Sequence, residues 1–269
     1  MKFHRLPFFL ILIFVIACEP SPDIPGAGKS ESLAVIKDTP ERRDRAEREW
    51  RQLLDTYSIP QSPPDFYPVT YTPRSLTGTS GGIKIMPAAP EPGTESIALR
   101  EAVKRFIERW RELIGADPAT VSLTSATPVD GNGERLTYRQ SNYPFPIVGG
   151  YGEMTAIVSG DGRLLQLDDR FLPLVEVPLR PQIEKDVAAR RVVGRTYTYS
   201  DIAGREQRVE ISNLDQVMVK GVVVVPIEKG DTIEVHLAWE IVAGGSLSWT
   251  VYIDATTGEE LQAIQNFKT

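Results

Sequence analysis

Apolar and polar side chains alternate along 232–241. Ile233, Val235, Leu237, Trp239 and Ile241 hold the odd positions, and Thr232, Glu234, His236 and Glu240 hold even ones. A period of two predicts a strand with one buried face and one wetted face. Gly244, Gly245 and Ser246 turn the chain, and Trp249, Val251 and Ile253 repeat the alternation on a second strand. Asp254 and Gly258 then form a corner: the carboxylate can accept from the backbone two residues on, and the glycine can take a positive φ. This corner reads as the end of the fold rather than as chemistry.

Elsewhere the period is helical. Thr39, Pro40 and Glu41 are an N-cap, a first-turn proline and a first-turn acid. Ala46, Trp50, Leu53, Leu54 and Tyr57 follow at helical spacing, which predicts a helix ending near Ser58. Its narrow stripe suits docking on the rest of the fold, with presentation to a partner as the alternative. Prolines at 60, 63, 64, 68, 73, 87, 90 and 92 leave only short extended pieces in 59–93. From Thr94, a broad stripe of Leu99, Val103, Phe106, Ile107, Trp110, Leu113 and Ile114 predicts the longest helix, stopped by Gly115. Strands are expected at 136–140, 153–159 and 164–170, the last two joined by the turn Gly160-Asp161-Gly162. The order then repeats: a short helix over 181–193 ended by Gly194, a short strand at 209–211, and a valine run at 217–225 that predicts a central strand. A helix followed by antiparallel strands, twice over, is an α+β architecture.

Composition changes this picture little, and the leader changes it more. The chain has 269 residues, 41% hydrophobic and 25% charged, enough for a sizeable core and about two domains. The net charge of -6, more negative still without Lys2 and Arg5, argues against nucleic acid as a partner. The single cysteine, Cys18, allows no intrachain disulfide. It follows a basic start and a short apolar run over 6–17, the pattern of a signal peptide too short to span a bilayer comfortably. Val15-Ile16-Ala17-Cys18 resembles the bacterial lipobox, which implies cleavage before Cys18, its acylation with palmitate-type chains, and an extracytoplasmic protein held on the cell envelope membrane. An ordinary signal sequence with an incidental cysteine is the alternative. Glu19 to Asp38, rich in Pro, Gly and Ser, reads as a flexible tether.

Several residues invite chemistry and do not carry it. Gly26-Ala27-Gly28-Lys29-Ser30 lacks the first glycine of a phosphate loop, since Asp23 stands there, and has no strand before it. Gly78-Thr79-Ser80-Gly81-Gly82 matches Gly-x-Ser-x-Gly, but Ile83 to Pro87 cannot be the helix that a nucleophile elbow requires. His236 is expected on the solvated face of its strand, and Asp168 and Asp169 as surface charge. No catalytic, cofactor or metal residue is expected, so Cys18 is the one site residue.

Gln140, then Tyr143-Pro144-Phe145-Pro146-Ile147-Val148-Gly149 and the hairpin closing at Ser159-Gly160-Asp161-Gly162, resemble the fungalysin/thermolysin propeptide (FTP) module, with Pro-Phe-Pro replacing its usual Asn-Gly turn. Leu237-Ala238-Trp239-Glu240, Trp249 and Ile253-Asp254-Ala255-x-x-Gly258-x-x-Leu261 resemble the PepSY module. Together these resemblances imply two cystatin-like helix-on-antiparallel-sheet units preceded by a helix and a proline-rich arm. The divisions are a leader at 1–17, a tether at 18–38, the helix and arm at 39–93, an FTP-like unit at 94–178 and a PepSY-like domain at 179–269. Such modules assist the folding of a peptidase and cover its cleft. No His-Glu-x-x-His occurs here, so the resemblance implies a stand-alone pro-region-like protein without a peptidase domain. The expected function is non-enzymatic binding of a protein partner, inhibiting or chaperoning a secreted peptidase. The alternative is an envelope structural or regulatory module that binds a sensor or cell-wall component.

Overall fold

The computed structural model describes residues 33–268, apart from 77–80, 88–90, 92 and 131. The leader, Cys18 and the glycine-rich segment at 26–30 lie outside the described residues, as does Ser80. The segment Leu33–Thr269 forms one compact unit. It has an α+β fold: two five-stranded antiparallel sheets with helices packed on them.

The first sheet runs β4 (Ile83–Lys84), β8 (Arg163–Asp169), β7 (Glu153–Val158), β6 (Gly133–Gln140), β5 (Val121–Val129). Its core face carries Leu136, Tyr138, Met154, Ala156, Val158, Leu164 and Leu167. Against it pack α1 (Pro40–Thr56), α2 (Glu95–Arg109) and the short α3 (Arg111–Ile114), through Trp50, Leu53, Leu54, Leu99, Phe106 and Ile114 among others. The α1 start forms as its sequence dictates: Thr39 is extended and its hydroxyl accepts from Arg42 N. The long helix expected from Thr94 breaks at Trp110, whose ψ of 28° leaves the helical region, and Gly115 ends α3 with φ 72°. The break leaves Trp110, Leu113 and Ile114 all buried, with the indole 6.2 Å from the Tyr57 ring. Of the proline-rich arm, β2 (Asp65–Phe66) and β3 (Pro73–Ser75) pair with each other, and β4 joins the first sheet.

The second sheet is built on β12 (Thr232–Gly244). One edge of β12 is paired throughout by β11 (Val217–Lys229). The other is paired by β13 (Ser248–Asp254) and, beyond it, by β1 (Ala34–Lys37), with β14 (Glu260–Gln265) outside β13. α4 (Lys185–Val192) and the hairpin of β9 (Thr196–Ser200) with β10 (Glu206–Glu210) cover one face through Ala188, Val192 and Tyr197, which meet Ile241, Trp249, Val251 and Ile253.

Four expectations are revised. The end of the tether is a strand: Ala34 and Ile36 pair with Val235 and Ile233, and Ile36 is buried. The central strand is β12. The valine run sits beside it, with its outer edge met at Val224 by Ile147 in an isolated bridge. The helix of 181–193 starts only at Lys185, because Gln182 N and Ile183 N both donate to Ala255 O and hold that stretch extended. The corner at Asp254 and Gly258 does not end the fold but leads into β14. At Gly258, φ is +76° and an added Cβ would lie 2.7 Å from Ile183 Cδ1, so only glycine fits.

Two joints tie the sheets together. Ile36, Val69, Tyr143, Ile147, Leu172, Val224 and Val235 form an apolar cluster between them. The second joint is a pair of backbone bonds, Val148 N donating to Val224 O at 3.0 Å and Val224 N to Pro146 O at 2.8 Å. Within the first unit the buried Gln140 amide acts as a strand partner, donating to Leu172 O at 2.9 Å and accepting from Leu172 N at 2.8 Å. Because α1 is buried through Trp50, Leu53 and Leu54, it belongs to the core rather than to a partner. Leu54→Ala is expected to cost about 2–5 kcal/mol in a denaturant titration. A free helix would lose almost nothing.

Candidate functional site

The even face of β12 is wet only in part. His236, opposite Val225 on β11, has a side chain 10% exposed rather than solvated. Its Nδ1 lies 2.7 Å from Asp254 Oδ2 and its Nε2 3.2 Å from Glu234 Oε2. Lys229 Nζ meets the same Glu234 oxygen at 2.7 Å. Asp254 Oδ1 accepts from Thr256 N at 2.7 Å and Thr257 N at 2.8 Å, so the corner carboxylate turns the backbone and grips the imidazole together. Beside this clamp Val223, Val225, Ala238 and Tyr252 form an apolar cluster with Leu261 and Val148 on the same side of the sheet.

Burial alone would lower the His236 pKa, but the Asp254 and Glu234 carboxylates outweigh it and raise the value above the ordinary range. Lys229 holds Glu234 below its usual value. Burial works against the Asp254 charge, yet the hydrogen bond from His236 and the two amides bring its pKa down. A carboxylate on one ring nitrogen is half of a proton relay. Here the second nitrogen faces another carboxylate, Glu234, in place of a hydroxyl or thiol, so the ring has no nucleophile beside it to activate. Among the described residues no set of three or more His, Cys, Asp or Glu side chains is arranged to hold a metal ion.

The two aspartates of β8 are also placed differently from expectation. Asp168 Oδ1 accepts from the Tyr67 hydroxyl at 2.9 Å. Asp169 is fully buried, its Oδ1 accepting from Phe171 N at 3.0 Å and its Oδ2 without a partner. Burial pushes its carboxyl well above the carboxylate range and so disfavours the ionised form. The signal lay in the alternation: Leu167, Asp169 and Phe171 share the core parity of their strand. Ser80 lies outside the described residues, but the segment after Gly82 is strand β4, and a strand there does not make a nucleophile elbow.

Among the described residues, the outer edge of β14 in the second sheet and that of β5 in the first both stand open to a partner, and an apolar slot lies against the latter. Among the described residues, β5 pairs only with β6, so its other edge offers backbone donors and acceptors along Val121–Val129. Beside it, a slot of about 170 Å³ lies between α2 and the sheet, lined by Ile107, Val121, Leu123 and Tyr138 under Arg100 and Lys104. Leu123 is 38% exposed. A bulge between Leu123 and Ser125 sits beside the slot.

No protein family model matches the chain, and no curated protein matches it. Four chains of solved structures do. One is the Bacillus megaterium YpeB C-terminal domain, at 13% identity and a TM-score of 0.33 over 86% of this chain and 99% of that one. A likeness at this level assigns neither family nor function.

The clamp fixes a pH dependence. The raised His236 pKa means its contribution is complete below about pH 6.5 and is lost as pH rises through the folded value. Asp254 and Glu234, with lowered values, contribute above the carboxylate range of about pH 4 and lose that contribution as pH falls. His236→Ala strands a buried carboxylate and is expected to cost about 3 kcal/mol near pH 6, with the loss shrinking toward alkaline pH in denaturant titrations. Asp169 carries the opposite sign for an acid: its raised pKa destabilises the fold increasingly as pH rises above about 4. Asp169→Asn is therefore expected to raise the melting temperature at pH 7 and to leave it unchanged near pH 4. An equal shift at both values would contradict the raised Asp169 pKa.

Proposed function

We propose that this chain is a non-enzymatic binding module, anchored outside the cytoplasm through acylated Cys18, that takes up an extended segment of a protein partner along the open edge of β5. The observation that carries the reading is the conjunction of an unpaired nine-residue strand edge and an apolar slot against it. An added strand gains affinity from main-chain hydrogen bonds, and a slot beside the edge selects the side chain that enters it. The partner class is a secreted peptidase that the module inhibits or chaperones, in keeping with the pro-region-like sequence marks around Gln140 and Asp254. Arg100 and Lys104 stand at the slot together with Glu101, and Arg100 is paired with Glu134, so the slot selects the inserted side chain by apolar fit rather than by charge.

The test is affinity capture from envelope extract followed by a peptidase assay, with wild type and Leu123→Asp side by side. Leu123 is exposed enough that the variant should fold, while the carboxylate spoils the slot. Wild type is expected to retain a peptidase and alter its activity, and the variant to bind it about tenfold less tightly. Equal capture by both proteins would sink the edge as the docking site, and capture without any peptidase would sink the partner class.

A further inference from the structure

Far from the clamp and independent of the β5 edge, a second concavity of about 440 Å³ lies between α1, α3 and the loop at Thr70 and Tyr71. Three guanidinium groups line it: Arg42 and Arg45 from α1 and Arg111 from α3. Arg42 is half-buried and locked by its backbone partners, with Nη1 donating to Lys37 O at 2.7 Å and to Val69 O at 2.9 Å. Val69 holds φ 70°, unusual for a β-branched residue, while its side chain is buried and its carbonyl meets Arg42. Both of these bonds use Nη1 and orient the rest of the Arg42 fork.

Three arginines on the lining meet two carboxylates, Glu112 and Asp117, which leaves an excess of one positive charge. Glu112 is shared by Arg45, at 3.6 Å, and Arg111, at 3.8 Å, both beyond hydrogen-bond length. Asp117, also on the lining, has Oδ1 accepting from Ala119 N at 3.0 Å. Asp38, nearby, is taken by Arg43 and the Tyr71 hydroxyl. Burial lowers the Arg42 pKa and the Arg45 charge lowers it further, with Asp38 working the other way, so Arg42 and Arg45 repel one another across the space they line. An anion entering there removes that repulsion and supplies acceptors. A carboxylate offers two oxygens and satisfies one fork, whereas a phosphate offers enough to meet three.

We propose that the groove binds a phosphate-bearing ligand whose oxygens bridge Arg42, Arg45 and Arg111. The same chemistry is found in free phosphate compounds and in the headgroups of anionic phospholipids. The test uses the full chain in detergent. Its thermal midpoint is followed while inorganic phosphate is exchanged for chloride at constant ionic strength, and its retention is compared on phosphatidylcholine vesicles with and without phosphatidylglycerol. Wild type should show a saturable phosphate-specific rise. The doubly substituted Arg45→Gln, Arg111→Gln chain, altered only at exposed side chains, should lose about tenfold or more in affinity. An additional retention caused by phosphatidylglycerol and lost in the double variant identifies the lipid headgroup as the source. A phosphate response without it identifies a free phosphate compound. The proposal is overturned if wild type shows neither response, a result that needs no variant to fold. It is equally overturned if the double variant, folded by circular dichroism, responds as wild type does.

Discussion

The structure depends on β12 being paired on both sides. β11 occupies one edge from Thr232 to Ala243, and β1 and then β13 share the other. Its odd side chains serve two cores: Ile233 and Val235 fill the cluster between the sheets, and Ile241 and Ala243 meet α4. A slip of one residue would turn all of them to the opposite face. The bulge between Val219 and Gly221 on β11 answers the same constraint. Val217 and Val219 face the α4 core, and after the extra residue Val224 faces the joint while Val223 and Val225 face the opposite side. The unbroken valine run thus covers both faces of a strand, which is why it shows no alternation.

That arrangement leaves the outer edge of β14 as the free edge of the second sheet among the described residues. The edges of β12 are full, and β11 is met on its outer side at Val224 by the segment around Ile147. The clamp of His236, Asp254 and Glu234 spends both ring nitrogens on carboxylates and stiffens the corner that carries β13 into β14. The first sheet is closed differently. The short β4 covers part of β8, and β5 stands open at the other end beside the slot under α2. The two sheets are joined through the apolar cluster and the backbone bonds of Val224 to Pro146 and Val148.

Much of this was legible from periodicity. The Thr39 cap, the α2 stripe, the hairpin at Gly160 to Gly162 and the alternation of β12 and β13 rest on local patterns that tertiary contacts did not override. β1 was not legible because four residues are too few to show a period next to a Pro-Gly-Ser stretch, and its partner lies almost two hundred residues away. Trp110 interrupts its helix without Gly or Pro, for packing reasons that sequence does not display. His236 and Asp169 look like surface residues one at a time. Their burial follows from register, which sets Asp254 diagonal to His236 across the hairpin and puts Asp169 in the core parity of β8. The open β5 edge is likewise a property of strand order, invisible until the sheet is assembled.

Amide hydrogen exchange measures partner addition at β5 most directly. In the free protein, amides along Val121–Val129 that point away from β6 should exchange quickly, while those of β12 stay protected. With the captured partner bound, the β5 amides should become protected together with Leu123 and the slot beneath α2. Fast exchange on β5 in the complex, with new protection confined to other surfaces, would contradict it.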